Sequence, residues 1–457
     1  MQIKAANQEK PRMFLVKHDA KLNIPEKFIK ESVEVLKDYF DENWLNQSEN
    51  HPLQLLWKRN DPLAINEIYT LGNSIKAVEN IDEQWVRKKV DNYKKKIEMG
   101  AVFEIIAAAA LEKRENQKII LPPQKNPGCD LTIDYIDGSK INVSCKQHKK
   151  SHHYKLFEEK SENIKNKFIF IGKALGELLG VTQLFATIYS YYHPIPKDWE
   201  ILEDNFPTIL LYAYDNGIST NTHTFKLGNW VIIISDFSKF QMELSDSFFS
   251  YNIVIDAPFH KNEIQNFFSH LSDGCHNLEK HGVLQDENNI NIIFVSIGYN
   301  YSIDECALWA RKYLDDNINK PIAGIYFIKP ILNRDLETRK NGIIYSTKFI
   351  KNKNFDYWNS EGTKNIRIEL PVAQGFIDGD GKLVHLYENN GEFSSEPAKN
   401  QKVYFFQEGK HFLECTKNKQ NYGSFGPKNR KCCVKRTDKG IEIHYLNTNL
   451  DHEFLIL

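Results

Sequence analysis

Residues 100–153 read GAVFEIIAAAALEKRENQKIILPPQKNPGCDLTIDYIDGSKINVSCKQHKKSHH, and the reading of this stretch decides the fold. Phe103-Glu104-Ile105 lies in an Ala-rich helical run. Pro127-Gly128-Cys129-Asp130 opens a strand from Leu131 to Ile136, and Asp137-Gly138 is a two-residue hairpin signal. A second strand, Lys140 to Gln147, ends in Ser144-Cys145-Lys146-Gln147. One acid on a helix, one at a strand start and one lysine on the next strand are thus placed to converge at one end of a sheet.

Between Asp82 and Glu112, Val86, Val90, Tyr93, Ile97, Ala101, Ala108 and Leu111 recur at helical spacing, which predicts one long helix. Glu104 falls inside that apolar stripe, where a carboxylate without a partner is costly. Ile141, Val143 and Cys145 alternate along the second strand, so Lys146 is expected on the other face, with Asn142 and Ser144. Asp130, Thr132 and Asp134 share one face of the first strand. A hairpin presenting Asp130 and Lys146, with Glu104 beside them, suits a divalent cation and a reacting phosphate.

The series of helix-borne Glu104, Asp130 after a proline-containing turn, and Lys146 on the next strand resembles the PD-(D/E)xK nuclease superfamily. The resemblance covers roughly residues 98 to 160 and has one departure: Ser144 stands where the family has the acid two before the lysine. It implies a restriction-endonuclease-like mixed sheet flanked by helices, within a chain of α/β class (α+β overall). It also implies Mg²⁺, with Mn²⁺ able to substitute. Asp130 would be the principal ligand, with the Cys145 backbone carbonyl a second and Glu104 (or Glu158 or Glu159) completing the oxygen shell. Lys146 would position or deprotonate the water, and Gln147 would orient substrate. The implied function is metal-dependent endonuclease cleavage of DNA in restriction or phage defence. RNA is compatible at this level, and a homodimer cutting both strands is left open. The alternative is a degenerate nuclease-fold protein that binds or senses nucleic acid, for which Ser144 is the main support.

The 457 residues suffice for several domains, and 41% hydrophobic with 26% charged residues is ordinary for a globular chain. A net charge of −1 excludes a generally basic nucleic-acid binder, so such contacts must come from local patches. Seven cysteines without CxxC spacing argue against a disulfide scaffold or a zinc ribbon. No apolar signal core or membrane-length run is visible, so the expected location is cytoplasmic, without membrane contact.

Four regions are expected. A helical N-terminal region covers 1–80, with Met13 to Val16 as a short strand and Trp44 and Trp57 as core anchors. The nuclease-like core covers 81–205, an α/β region 206–365, and a basic β module 366–457. After Lys146, the segment holding His148, Lys149 and Lys150 reads as a phosphate-contacting loop. The three histidines His148, His152 and His153 lack metal-ligand spacing among themselves. Ile164 to Tyr191 reads as helix, 193–207 as a proline-bearing connector and Thr208 to Tyr214 as strand. Ile292 to Lys329 reads as a strand–helix–strand unit with a parallel pair and no glycine-rich phosphate loop. The stretch FIDGDGKL at 376–383 is read as a hairpin turn rather than a calcium loop. Between Lys399 and Lys439, eleven lysines and arginines stand against three acids, interleaved with aromatics. Lys428, Arg430 and Lys431 are the candidates there for phosphate contact.

Overall fold

The computed structural model describes residues 20–22, 25–47, 51–58, 62–111, 117–122, 128–179, 183–216, 223–235, 250–281, 288–298, 301–334, 341–354, 375–377, 387–389, 392–394, 403–408, 412–415, 421–424, 431–437 and 440–446. The Asp137-Gly138 turn is one residue longer than the two-residue type expected: the Tyr135 N–H donates to the Ser139 carbonyl at 2.9 Å and the Gly138 N–H to the Tyr135 carbonyl at 2.8 Å, so Ile136, Asp137 and Gly138 form the loop. Gly138 takes φ +84°, and the Asp137 carboxylate accepts hydrogen bonds from the Ser139 backbone N–H (3.0 Å) and hydroxyl (2.7 Å). This sets the hairpin register at Leu131 opposite Val143 and Ile133 opposite Ile141. The chain divides into two units. Unit 1 comprises Met1–His148, Phe268–Asp378 and His452–Leu457; unit 2 comprises Lys149–Phe267 and Gly379–Asp451.

Unit 1 opens with strand β1 (Ala20–Leu22) and helices α1 (Glu26–Phe40), α2 (Glu42–Leu45), α3 (Pro52–Trp57) and α4 (Pro62–Lys96). Trp57 is buried and Trp44 packs against the same core. Helix α4 breaks at Asp82, whose φ of −156° is extended and whose Oδ1 caps the Trp85 N–H at 2.9 Å. The expected single helix to Glu112 is in fact two, because Ile97 turns the chain at φ +53°. Helix α5 (Met99–Leu111) then runs through the core, apolar nearly all round. Strands β2 (Gln117–Ile120), β3 (Leu131–Tyr135) and β4 (Lys140–His148) follow as an antiparallel meander.

The chain enters unit 2 with α6 (His152–Leu179), β5 (Gln183–Ser190), α7 (Pro196–Asp215), β6 (His223–Leu227), β7 (Trp230–Ser235) and β8 (Ser250–Pro258). Two sequence readings fail here. Gln183–Ser190 is a strand, and the connector plus Thr208–Tyr214 strand is the single helix α7. Short apolar runs do not distinguish strand from helix, and only the burial of Phe206, Leu210 and Ala213 on one side reveals the helical period. Pro207 sits inside that helix and cannot donate to the Glu203 carbonyl. Lys167 Nζ donates to it instead at 2.9 Å.

Helix α8 (Glu263–Lys280) carries the chain back into unit 1, where β9 (Asn289–Ile297), α9 (Ile303–Asp316) and β10 (Gly324–Arg334) form the expected parallel unit. Strands β11 (Asn341–Lys351) and β12 (Gly375–Ile377) complete the sheet, ordered β1-β12-β11-β10-β9-β4-β3-β2. Strand β4 is parallel to β9 over its whole length and antiparallel to β3, so the sheet is mixed. Helix α5 covers it, with Phe103 against Phe294 of β9 at 5.2 Å between ring centroids.

The remaining strands are β13 (Tyr387–Asn389), β14 (Glu392–Ser394), β15 (Val403–Glu408), β16 (Phe412–Cys415), β17 (Asn421–Ser424), β18 (Lys431–Thr437) and β19 (Gly440–Leu446). The second sheet of unit 2 is antiparallel, β16-β17-β18-β19, while the first, β15-β8-β5-β7-β6, is mixed and holds β5 parallel to β8. The expected regional boundaries therefore shift. The 81–205 block is shared between the units after His148, and the 366–457 module contributes β12 to one sheet and β15 to another. The stretches 13–16 and 378–383 lie outside the described residues. Among the described residues no helix is long and apolar enough to cross a membrane.

Candidate active site

Asp130 immediately precedes β3, and the neighbouring strand turns two donors onto it. The Cys145 backbone N–H donates to Asp130 Oδ2 at 2.7 Å, and Ser144 Oγ donates to the same oxygen at 3.0 Å. Asn277 Nδ2, from α8, in turn donates to Ser144 Oγ at 3.2 Å, fixing the hydroxyl's direction. Among the described residues no donor meets Asp130 Oδ1, so one carboxylate oxygen is anchored and the other is left for a ligand.

Glu104 reaches the same place from α5. Its carboxylate is paired with Lys89 Nζ of α4, both side chains being mostly buried. Burial pushes the Glu104 carboxyl up to about 7; Lys89 works against that rise, and the negative charge of Asp130 adds to it. The Cys145 thiol is pushed well above its ordinary value, first by burial and then by Asp130 and Glu104, while Lys89 and Lys146 pull it back. The charges of both carboxylates, of Lys89 and of Lys146 are felt at the Cys145 thiol. Glu104 and Asp130 act on each other beside the strand that carries Lys146; Lys89, Ser144 and Asn277 are the additions. Only the cost of burying Glu104 pointed to a partner such as Lys89, and nothing in its spacing identified it.

Several expectations need correction. Asn142 and Ser144, on the Lys146 face, are buried, because β4 is an interior strand with neighbours on both edges and both faces covered. Lys146 and Gln147 are half-buried, and Gln147 Oε1 is shielded from water with no donor among the described residues. His148 is no loop residue. It ends β4, is 1% exposed, and packs on Tyr301 and His270, with burial holding its imidazole down at about 3. A neutral, buried ring does not serve a phosphate. Lys149 is exposed, whereas Lys150 is paired with Glu158 at 2.6 Å and lies over the Tyr154 ring. Glu158 thereby has a cation partner of its own within unit 2. Lys431 begins β18; Lys428 and Arg430 lie outside the described residues.

In unit 2 the structure assembles a second group. His153, on the first turn of α6, meets His193, after β5, and His260, after β8, with their candidate ligand nitrogens all within 4.8 Å of one another. Of the three histidines clustered in sequence, only His153 takes part; its companions come from elsewhere in the chain. Burial holds the His193 imidazole below its ordinary value, and burial with the neighbouring rings holds His260 at about 4.

No family model, no curated protein and no solved structure matches this chain.

Proposed function

We propose that the chain is a metal-dependent nuclease whose reacting centre is Glu104, Asp130 and Lys146, with DNA as the favoured substrate and restriction or phage defence as its setting. The observation that carries this reading is Asp130 held by the Cys145 N–H and Ser144, with Glu104 close enough to feel its charge, against the strand that carries Lys146. A helix-borne Glu, an Asp at a strand start and a Lys on the next strand, in a mixed sheet flanked by helices, are the features of a restriction-endonuclease-like site.

The donors suit a hard cation. Asp130 Oδ1, the Glu104 carboxylate and the Cys145 carbonyl are oxygen ligands of the kind Mg²⁺ and Mn²⁺ take. The ion would supply charge neutralisation at the scissile phosphate. Asp130 is pre-oriented for this by the two hydrogen bonds on Oδ2. Glu104 must release Lys89 to join it. Lys146 holds the attacking water and stabilises the charge that develops on the phosphoryl oxygens, and Gln147 Oε1 is a ready acceptor for substrate. Ser144, directed at Asp130 by Asn277, serves as an anchor for the carboxylate rather than as a ligand.

One observation favours a second reading. Ser144 and Cys145 already anchor one oxygen of Asp130, and Lys89 pairs with Glu104, as in a carboxylate pair retained without metal. That protein would bind nucleic acid without cutting it. Manganese binding separates the two. Titration should show a site weakened at least tenfold by Asp130→Asn if the centre is catalytic, whereas an unaffected or absent site supports the degenerate binder.

A further inference from the structure

We infer that unit 2 holds a site for one divalent transition metal of the Zn²⁺ class, bound by His153, His193 and His260 with a fourth position open to solvent. The inference does not rest on the nuclease reading, and the chemistry differs. Three imidazoles select zinc, cobalt, nickel or copper and offer nothing to Mg²⁺.

The fold brings the three rings together deliberately. Strands β5 and β8 are parallel neighbours, with Tyr189 opposite Asp256, so the chain leaves both at the same end of the sheet. His193 and His260 sit on those two exits. His153 arrives from the helix start, which Ser151 caps by accepting the Tyr154 N–H at 2.9 Å. The rings are in direct contact: His153 and His260 stack at 3.5 Å between centroids, and His193 stands across His260 at 4.7 Å. Tetrahedral zinc spaces its nitrogen ligands by about 3.3 Å, given bonds of ~2.0–2.1 Å. The ligand nitrogens, all within 4.8 Å of one another, already lie close to that spacing.

The surroundings hold these residues as metal ligands are usually held. His193 donates from Nδ1 to the Pro258 carbonyl at 3.1 Å, which puts its lone pair on Nε2. The His260 backbone is pinned twice, its N–H by the Tyr404 hydroxyl at 3.3 Å and its carbonyl by the Glu263 N–H at 2.9 Å. Beneath lies a buried carboxylate: Glu263 Oε1 accepts hydrogen bonds from both the Ser151 and Tyr404 hydroxyls. His260 Nδ1 accepts the exposed Asn262 N–H at 3.1 Å, so its lone pair is on Nδ1. The metal takes that nitrogen in exchange for one solvent-accessible hydrogen bond. All three histidines remain partly exposed, so the fourth position faces water. A site with three protein ligands and an open position is of the kind that activates a bound water rather than one that only braces a fold.

The test uses the full chain, stripped with a chelator and titrated with Zn²⁺ against a chromophoric competitor, and with Co²⁺ for its visible absorption. The expected result is one equivalent bound, a four-coordinate Co²⁺ spectrum, and no competition from Mg²⁺. His193→Asn and His260→Asn should each weaken binding at least a hundredfold with the far-UV circular dichroism unchanged. His152→Asn, altering the exposed histidine next to the triad, should leave it intact. The inference is overturned by no binding above buffer level in the folded protein, by octahedral Co²⁺ only, or by variants that bind as the parent does. Should a triad variant fail to fold, the Co²⁺ spectrum of the parent and the His152→Asn titration still decide the matter.

Discussion

The backbone N–H of Cys145 and the carboxylate of Asp130 are 2.7 Å apart, and this one bond ties the start of β3 to the strand that carries Lys146. It lies just past the Leu131–Val143 pair, where the hairpin register has already aligned the two strands. The carboxylate is therefore oriented by backbone rather than by a mobile side chain. Ser144 adds to the same oxygen, so the two bonds hold one side of the carboxylate.

Asp130→Asn keeps the shape but removes the charge. Its amide can accept only at one oxygen, and hydrogen bonds to a charged acceptor are worth about 1.5–3 kcal/mol. The expected outcome is a modest loss of stability in urea unfolding, together with loss of Mn²⁺ binding at this centre and of any cleavage by at least a hundredfold.

Glu104 makes the metal-free protein less stable as pH rises. Its carboxyl is up to about 7 in the folded protein against an ordinary 4.5, so between those values the folded state holds a proton that the unfolded state has released. By linkage, unfolding free energy falls through that window by roughly 3 kcal/mol, with no penalty below pH 4.5 and the full penalty above pH 7. Denaturation in chelator at pH 4.5 and pH 8 measures it. Glu104→Gln should flatten that difference, whereas an equal slope in both proteins would contradict the assignment.

Gly72 packs α4 against α1 so closely that a Cβ there would lie 2.3 Å from the Ser32 carbonyl oxygen and 2.8 Å from its carbonyl carbon. The obstruction is mostly backbone and cannot rotate away. Gly72→Ala is expected to cost at least 1–3 kcal/mol in chemical denaturation, despite alanine's better helix propensity. A stabilised variant would show that the two helices separate freely.

Ser144→Asp places an acid where the proposed nuclease reading would have one. The side chain is fully buried and directed at Asp130, so the metal-free variant should lose stability through two facing carboxylates. Added Mn²⁺ should return that stability and bind more tightly than in the parent, as thermal shifts with and without metal would show.

Much of unit 1 was legible because its signals are local. Asp137-Gly138 marked a hairpin, though its loop takes in Ile136 as well, alternation placed Ile141 and Val143 inward, and the continuous apolar runs of β9 and β10 announced a covered parallel pair. What escaped depends on partners distant in sequence. The Ser144 face of β4 is met by α8, whose Asn277 lies far away in sequence. Lys89 is recognised only when α4 lies beside α5, and the histidine triad only when β5 and β8 end together. Helix α7 was lost to Pro207, a reliable breaker except where, as here, Lys167 occupies the freed carbonyl.

The most direct test of the central claim is cleavage itself. Purified protein is incubated with supercoiled plasmid, linear DNA and structured RNA in Mg²⁺, Mn²⁺ or EDTA, with Lys146→Ala in parallel. The account predicts cutting of DNA that needs the added Mg²⁺ or Mn²⁺, ceases in EDTA and is lost with Lys146→Ala. Cutting that persists at full rate in Lys146→Ala, or no cutting in any metal by protein that still binds DNA, would contradict it.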